Sequence, residues 1–344
     1  MLVLLALFAC GGSTPAPEAA APPAVAEADV KLRQMLQPLP DVAAPADAAA
    51  TAKIDLGRFL YYENRLSKNQ DISCNSCHLL DKYGVDGTPT SKGHKGALGG
   101  RNAPTVYNAA LHTAQFWDGR AADVEAQAKG PVLNPIEMAM LSEEAVVNTL
   151  KSIPDYAPKF SAAFPGEADP ISYNNLAHAI GAFERTLITP SAYDRWLKGE
   201  DAALTAEQRA GLQTFVDTGC TSCHSGPALG GQMYMKLGIV QPYETKDEGR
   251  FMVTQNEADR KVFKVPSLRN ITETAPYLHD GSIATLPEMV SVMAKYQLGK
   301  ELPPEQVQSI IAFLTSLRGD LPAERIAKPE LPASGPTTPK ADAS

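Results

Sequence analysis

The amino-acid sequence predicts a mainly α-helical protein built as two successive halves. Three observations lead there. Apolar residues recur at helical spacing in several segments, most clearly at Tyr173, Leu176, Ile180, Phe183 and Leu187. No run of alternating apolar and polar residues is long enough for a major sheet. The pattern Cys-x-x-Cys-His occurs twice, as Cys74-Asn75-Ser76-Cys77-His78 and Cys220-Thr221-Ser222-Cys223-His224, each time after a helical stretch and before a glycine-rich loop. A chain of 344 residues can bury the two cores this implies.

Cys-x-x-Cys-His is the attachment signature of c-type haem: the two thiols bond the porphyrin vinyl groups and the imidazole ligates iron. Cys-x-x-Cys alone also suits a thiol redox pair or a zinc site. A His directly after the second Cys in both copies favours haem. Two haems then use Cys74, Cys77, Cys220 and Cys223, with His78 and His224 as axial ligands, and leave one of the five cysteines, Cys10. Each half thus resembles a cytochrome c domain, in which the covalently attached haem supplies apolar area that short helices could not bury among themselves.

Taken in order, residues 1–10 form a short apolar run ending in Cys10, the shape of a bacterial lipoprotein signal with the Cys as the lipidated residue. The run is too short to span a bilayer. Residues 11–28 are rich in Pro and Ala with almost no large apolar side chains, and read as a disordered tether. The first haem domain is expected over 29–190, the second over 191–320, and a disordered proline-rich tail over 321–344. Lys31 to Leu36 opens the first helix, after which Pro38, Pro40 and Pro45 enforce extended chain. Ile54, Leu56, Phe59 and Leu60 form a helical face expected to pack on the first porphyrin. Asp81 to Asn102 is a long glycine-rich loop with His94 in its middle. Helices are expected at Ala121 to Lys129 and at Ser142 to Ser152, where Ser142 caps and Glu143 and Glu144 suit the positive helix end. Thr205 to Gln208 and Thr285 to Glu288 read as capping boxes. The second opens a helix carrying Met289 and Met293. The last helix presents Val307, Ile310, Ile311, Leu314 and Leu317 on one face and stops at Arg318 and Gly319.

A net charge of −8 argues against nucleic acid as a partner and leaves room for a basic electron donor. A haem with a filled sixth position carries electrons, and one with a vacant position catalyses. For the second haem the soft ligands downstream are Met289 and Met293, and a thioether raises the reduction potential; helical spacing alone leaves each equally suited to packing. For the first haem the sixth-ligand candidate is His94, on a loop that could withdraw it. By residue type alone Trp117 reads as a packed aromatic, His279 as a structural hydrogen-bonding group, and His112 has no motif role.

Longer motifs then become recognisable. They are Gly84-Val85-Asp86-Gly87, Lys92-Gly93-His94, Arg101-Asn102-Ala103-Pro104-Thr105, Gln115-Phe116-Trp117-Asp118-Gly119-Arg120, Ala126 to Pro131, Glu137-Met138, Phe183-Glu184-Arg185-Thr186, Gly230 to Tyr234, Val265 to Asn270, Thr274 to Gly281, and Met293 with Gln297-Leu298-Gly299. From about Ala46 to Gly319 the chain resembles the bacterial di-haem cytochrome c peroxidases.

That resemblance implies roles. Met293 becomes the axial ligand of a high-potential haem, and Met289 a packing residue. His94 becomes the removable distal ligand of the peroxidatic haem, Glu137 its distal carboxylate, Gln127 the neighbouring amide, and Trp117 the aromatic between the haems. Asn102 with the backbone oxygens of Thr274 and Pro276 becomes a calcium site, hard oxygen donors suiting that ion. The implied substrate is hydrogen peroxide, reduced to water with single electrons from a small cytochrome c or cupredoxin. A carboxylate such as Glu137 can take a proton from one peroxide oxygen and return it to the other. A homodimer and a periplasmic location, with membrane contact only through a lipid on Cys10, are also implied. Two other functions compete. A related maturation enzyme oxidises tryptophans of a partner protein but carries Tyr where this chain has Met293. A di-haem electron carrier without catalysis would leave Glu137, Gln127 and the hinged His94 loop without purpose.

Overall fold

The computed structural model describes residues 27–344, so the signal-like segment, Cys10 and nearly all of the expected tether lie outside the described residues. The described chain is mainly helical, as expected, with one small antiparallel sheet pairing Tyr234–Lys236 with Val262–Lys264. Among the described residues no helix is long and apolar enough to cross a membrane.

Local chemistry explains where the helices begin. Asp47, Asp123, Ser142 and Ser172 each accept a hydrogen bond from a backbone N–H of the first turn they precede. At Thr205 the capping box is complete, with Gln208 returning the bond to the Thr205 N–H. At Thr285 only half of it forms: Thr285 accepts from Glu288 N, and the exposed Glu288 carboxylate makes no return bond. Asp123 sets the next helix to Val124–Leu133, later than the expected Ala121 start.

Two apolar clusters follow. In the first half the helices Ala48–Tyr61 and Tyr173–Glu184 pack together through Leu56, Leu60, Leu176, Ile180 and Phe183. In the second, Ala206–Thr218 packs on Pro304–Thr315 through Leu212, Phe215, Ile310, Phe313 and Leu314. Each pair crosses at a glycine just upstream of a Cys-x-x-Cys-His motif. A Cβ on Gly57 would lie 1.9 Å from the Ala179 carbonyl oxygen, and one on Gly211 2.0 Å from that of Ser309.

The chain ends depart from the sequence order. The first described helix, Glu27–Met35, starts inside the expected tether and packs on the second half: Leu32 joins the cluster of Trp196 and Phe313, and Leu39 N–H donates to Asp194. The tail expected to be disordered is instead laid across the first half. Leu321, Ile326 and Leu331 pack on its core, and backbone carbonyls of the tail accept from Tyr62 and Arg65. Prolines prevent a long helix there, yet the apolar side chains still find a surface to bury, and the unpaired carbonyls find side-chain donors. The two arms therefore cross, each tying down the half to which it does not belong in sequence.

A finer repeat emerges as well. Pro104-Thr105-Val106-Tyr107-Asn108 and Pro266-Ser267-Leu268-Arg269-Asn270 sit in equivalent places, with both asparagines left-handed at φ 61°. Each leads to a turn closed by a single β-bridge, Gln115 with Ala121 and Tyr277 with Ile283. Those turns hold Phe116-Trp117-Asp118-Gly119 and Leu278-His279-Asp280-Gly281.

The glycine crossing gives a stability prediction. Gly211→Ala forces a methyl into the Ser309 carbonyl and is expected to cost about 1–3 kcal/mol, as overpacking does, read as a lower denaturation midpoint; an unchanged midpoint would show that the helices separate freely.

Candidate functional site

The second Cys-x-x-Cys-His motif follows from its helix. Ala206–Thr218 ends at Gly219, whose φ of 99° is the left-handed cap that turns the chain into Cys220–Ser222. Cys220, Cys223 and His224 then line a largely apolar cavity whose walls include Phe215, Ile310 and Leu314. Met289 and Met293, one helical turn apart on Leu286–Leu298, line the same cavity, so the structure brings both candidate thioethers to it. His224 Nδ1 lies 3.2 Å from the Leu229 carbonyl oxygen, which leaves Nε2 as the free ring nitrogen. Burial pulls the His224 pKa below its ordinary value and favours the neutral imidazole that metals bind.

The first motif is a single helical turn, Cys74–Cys77, steadied by Ser76 Oγ accepting from Ser73 N–H. Tyr61 OH donates to the His78 carbonyl. His78 Nδ1 is buried without a hydrogen-bond partner, and burial lowers its pKa too. None of the four motif cysteines is paired in a disulfide. Burial pushes Cys74 up to about 12 and Cys220 up to about 11, the opposite of the depressed value a redox-active thiol needs. Among the described residues no cluster of three or more His, Cys, Asp and Glu is placed to hold a metal ion. Two thiols, a neutral imidazole and a thioether around one apolar cavity fit a haem.

Of the first-half candidates, the structure brings Glu137 and the His94 turn together. Glu137 lines a small pocket with Phe116, Arg120, Pro131 and Asn134. Burial raises its pKa above the ordinary glutamate value, opposed by the Arg120 charge and the Asn134 side chain. Sequence motifs gave Arg120 no role; only its place in this pocket shows one. Arg120 also stacks on the Phe116 ring and pairs with Asp118 at 3.0 Å. Gln127 lies on the same helix as Pro131 but does not line the pocket.

His94 N–H donates to the backbone oxygens of Ile136, at 3.0 Å, and Glu137, at 2.8 Å. Gly93 makes this docking feasible, since a Cβ there would lie 1.9 Å from the Ile136 oxygen. The imidazole is buried, and its Nε2 is 3.4 Å from the backbone oxygen of Ser344 in the crossing tail.

Trp117 stands between the halves. Its Nε1 donates to the Asn102 carbonyl, its ring meets His279 edge-on at 6.5 Å, and it lines the second cavity. Asn102, Thr274 and Pro276 line that cavity as well. His279 stacks on Phe263 and contacts Thr245 Oγ1 at 3.0 Å, the structural role its type suggests.

Comparison with known proteins agrees with these features. The family model described as di-haem cytochrome c peroxidase matches residues 51–202. A cytochrome c551 peroxidase of Pseudomonas aeruginosa is 47% identical over 292 residues, covering 83% of this chain and 84% of that protein. A methylamine utilization protein MauG of Methylorubrum extorquens is 33% identical over 299 residues, covering 83% of each. The crystal structure of a MauG-like protein associated with microbial copper homeostasis superposes with a TM-score of 0.74 at 29% identity, over 85% of this chain and 98% of that one.

The electrostatics of the pocket predict a direction. Arg120→Met removes the cation that holds the Glu137 carboxyl down, so protonation of Glu137 should move to higher pH, followed through its carboxyl infrared band; a shift to lower pH would refute the pairing.

Proposed function

The chain belongs to the di-haem cytochrome c peroxidase family and is a peroxidase oxidoreductase, and we propose that it reduces hydrogen peroxide to water at the first haem with Glu137 as the proton carrier. The observation that carries this is the half-buried Glu137 carboxyl in a pocket whose backbone is bonded to the His94 turn. The net reaction joins peroxide, two protons and two electrons to give two waters. The two haems, held by Cys74, Cys77 and His78 and by Cys220, Cys223, His224 and Met293, supply the reactive iron and an electron store.

The side chains do the rest. Ionised Glu137 accepts the proton of one peroxide oxygen and returns it to the other, and the oxygen that receives it departs as water. Arg120 holds the carboxylate in its ionised form, and Gln127 stands on the helix that walls the pocket, as the amide neighbour the family pattern implies. His94 controls access; because its N–H is tied to the Glu137 carbonyl, moving the turn also disturbs the carboxylate. Trp117 spans the space between the halves and serves the passage of electrons. Asn102 with the backbone oxygens of Thr274 and Pro276 holds calcium at that junction.

The electrons come from a small cytochrome c or cupredoxin, in the periplasm. Attachment through Cys10 rests on the sequence alone. A homodimer is supported by Ile136, 44% exposed, and Leu141, 80% exposed, which leave apolar surface beside Glu137 for a second copy to cover. Greater likeness to the peroxidase than to MauG, together with Met293, favours peroxide reduction over protein oxidation.

Glu137→Gln is expected to lower peroxide turnover by at least about 100-fold, the lower range of acid–base contributions, while the haem count stays at two; normal turnover would sink the assignment. Because burial raises the Glu137 pKa and the ionised form is the active one, activity should fall on acidification above the ordinary glutamate range. A pH profile flat through that region would contradict this.

A further inference from the structure

Lys264 ends the strand Val262–Lys264 and is 7% exposed. Its ammonium has no carboxylate to offset the burial, and its one hydrogen-bonding side-chain contact among the described residues is with His112 Nδ1, at 3.1 Å. The other ring nitrogen, His112 Nε2, is buried with no partner at all. Both residues line the cavity that contains Cys220, Cys223, His224 and Met293. A buried cation next to a partnerless N–H group, in an otherwise apolar cavity, lacks an anion.

Haem carries that anion. Its two propionates are carboxylates, and a buried carboxylate is stable only beside a cation or several N–H donors. We propose that Lys264 and His112 form the receptor for a propionate of the second haem, an inference that rests on the reading of Cys220 to His224 as a haem site. Lys264 Nζ supplies the charge and His112 the neighbouring ring nitrogen. The Lys264 N–H donates to the Trp117 carbonyl at 2.7 Å, so the receptor is fixed to the residue between the halves. The internal repeat supports the placement: Lys264 of the second half and His112 of the first occupy the positions equivalent to Asn102 of the first half and Thr274 of the second, both proposed calcium donors. The junction thus places an ammonium at one of two repeat-related positions and is read as holding a metal ion at the other.

With the carboxylate bound, the burial that pushes Lys264 down to about 8 is compensated and the side chain stays cationic. A cation next to haem favours the reduced iron. Removing it leaves the propionate charge exposed to the iron and should lower the potential of the second haem alone.

The test uses the holoprotein, comparing K264M and K264R with wild type by haem count, by redox titration of each haem and by the propionate bending modes in resonance Raman spectra. The expected result is two haems in each protein, a lowered second-haem potential and a displaced propionate mode in K264M, and values close to wild type in K264R. A K264M protein with two haems and both readouts unchanged overturns the proposal. If K264M does not accumulate with two haems, H112F is measured instead; a displaced propionate mode supports the receptor, and an unmoved one overturns it. One haem rather than two in the wild-type protein would refute the underlying di-haem reading and is distinguished by the count itself.

Discussion

Thr189 Oγ1 accepts a hydrogen bond from Asn108 Nδ2 and another from Asn270 Nδ2, each at 2.9 Å, and all three residues are fully buried. These asparagines are the matching residues of the internal repeat, so one hydroxyl holds the two halves in register. Asn108 Oδ1 in turn accepts from Thr189 N–H, and Asn270 Oδ1 from Gly319 N–H. A buried amide left without such partners costs about 1–3 kcal/mol, so the junction permits only one relative placement. Arg269, within the same repeat motif, makes a fully buried two-pronged pair with Asp194 at 2.8 and 2.9 Å, and Asp194 also anchors the N-terminal arm. Everything between the haem motifs is positioned from this junction.

The register has functional content. It sets Trp117 of one turn against His279 of its repeat partner and brings Asn102, Thr274, Lys264 and His112 to the wall of one cavity. Equivalent scaffolds then carry different chemistry. One half presents a thioether in an apolar cavity, which suits storing an electron. The other presents a half-buried carboxyl beside a docked histidine turn, which suits moving a proton. In the proposed mechanism, the His94 N–H shared between the Ile136 and Glu137 carbonyls makes access and proton transfer parts of one movement.

Much of this was legible in the sequence because it is local. The Cys-x-x-Cys-His motifs, the apolar stripe from Tyr173 to Phe183 and the Thr205 cap each depend on residues a few positions apart. Glu137 was offered only by motif resemblance, since a carboxylate in a loop has no signature of its own, whereas His94 was suggested by its place in the glycine-rich loop after the first motif. Arg120, Lys264 and the receptor half of His112 were missed, because their meaning comes from burial beside residues far away in the chain. The crossing arms were missed for the same reason: a proline-rich tail looks disordered until a surface for Leu321 and Leu331 exists. The finer repeat escaped because it is a match of backbone shape, as at Asn108 and Asn270, more than of side chains.

The central claim is that two similar scaffolds hold unequal haems, with His224 and Met293 on the electron store and His78 on the reactive iron. A spectroscopic redox titration of wild type and Met293→His tests it most directly. The account predicts two separate one-electron steps in the wild type, with only the higher moving down in the variant, because a thioether favours reduced iron more than an imidazole does. A single unresolved two-electron step, or a variant that moves the lower step, would contradict it.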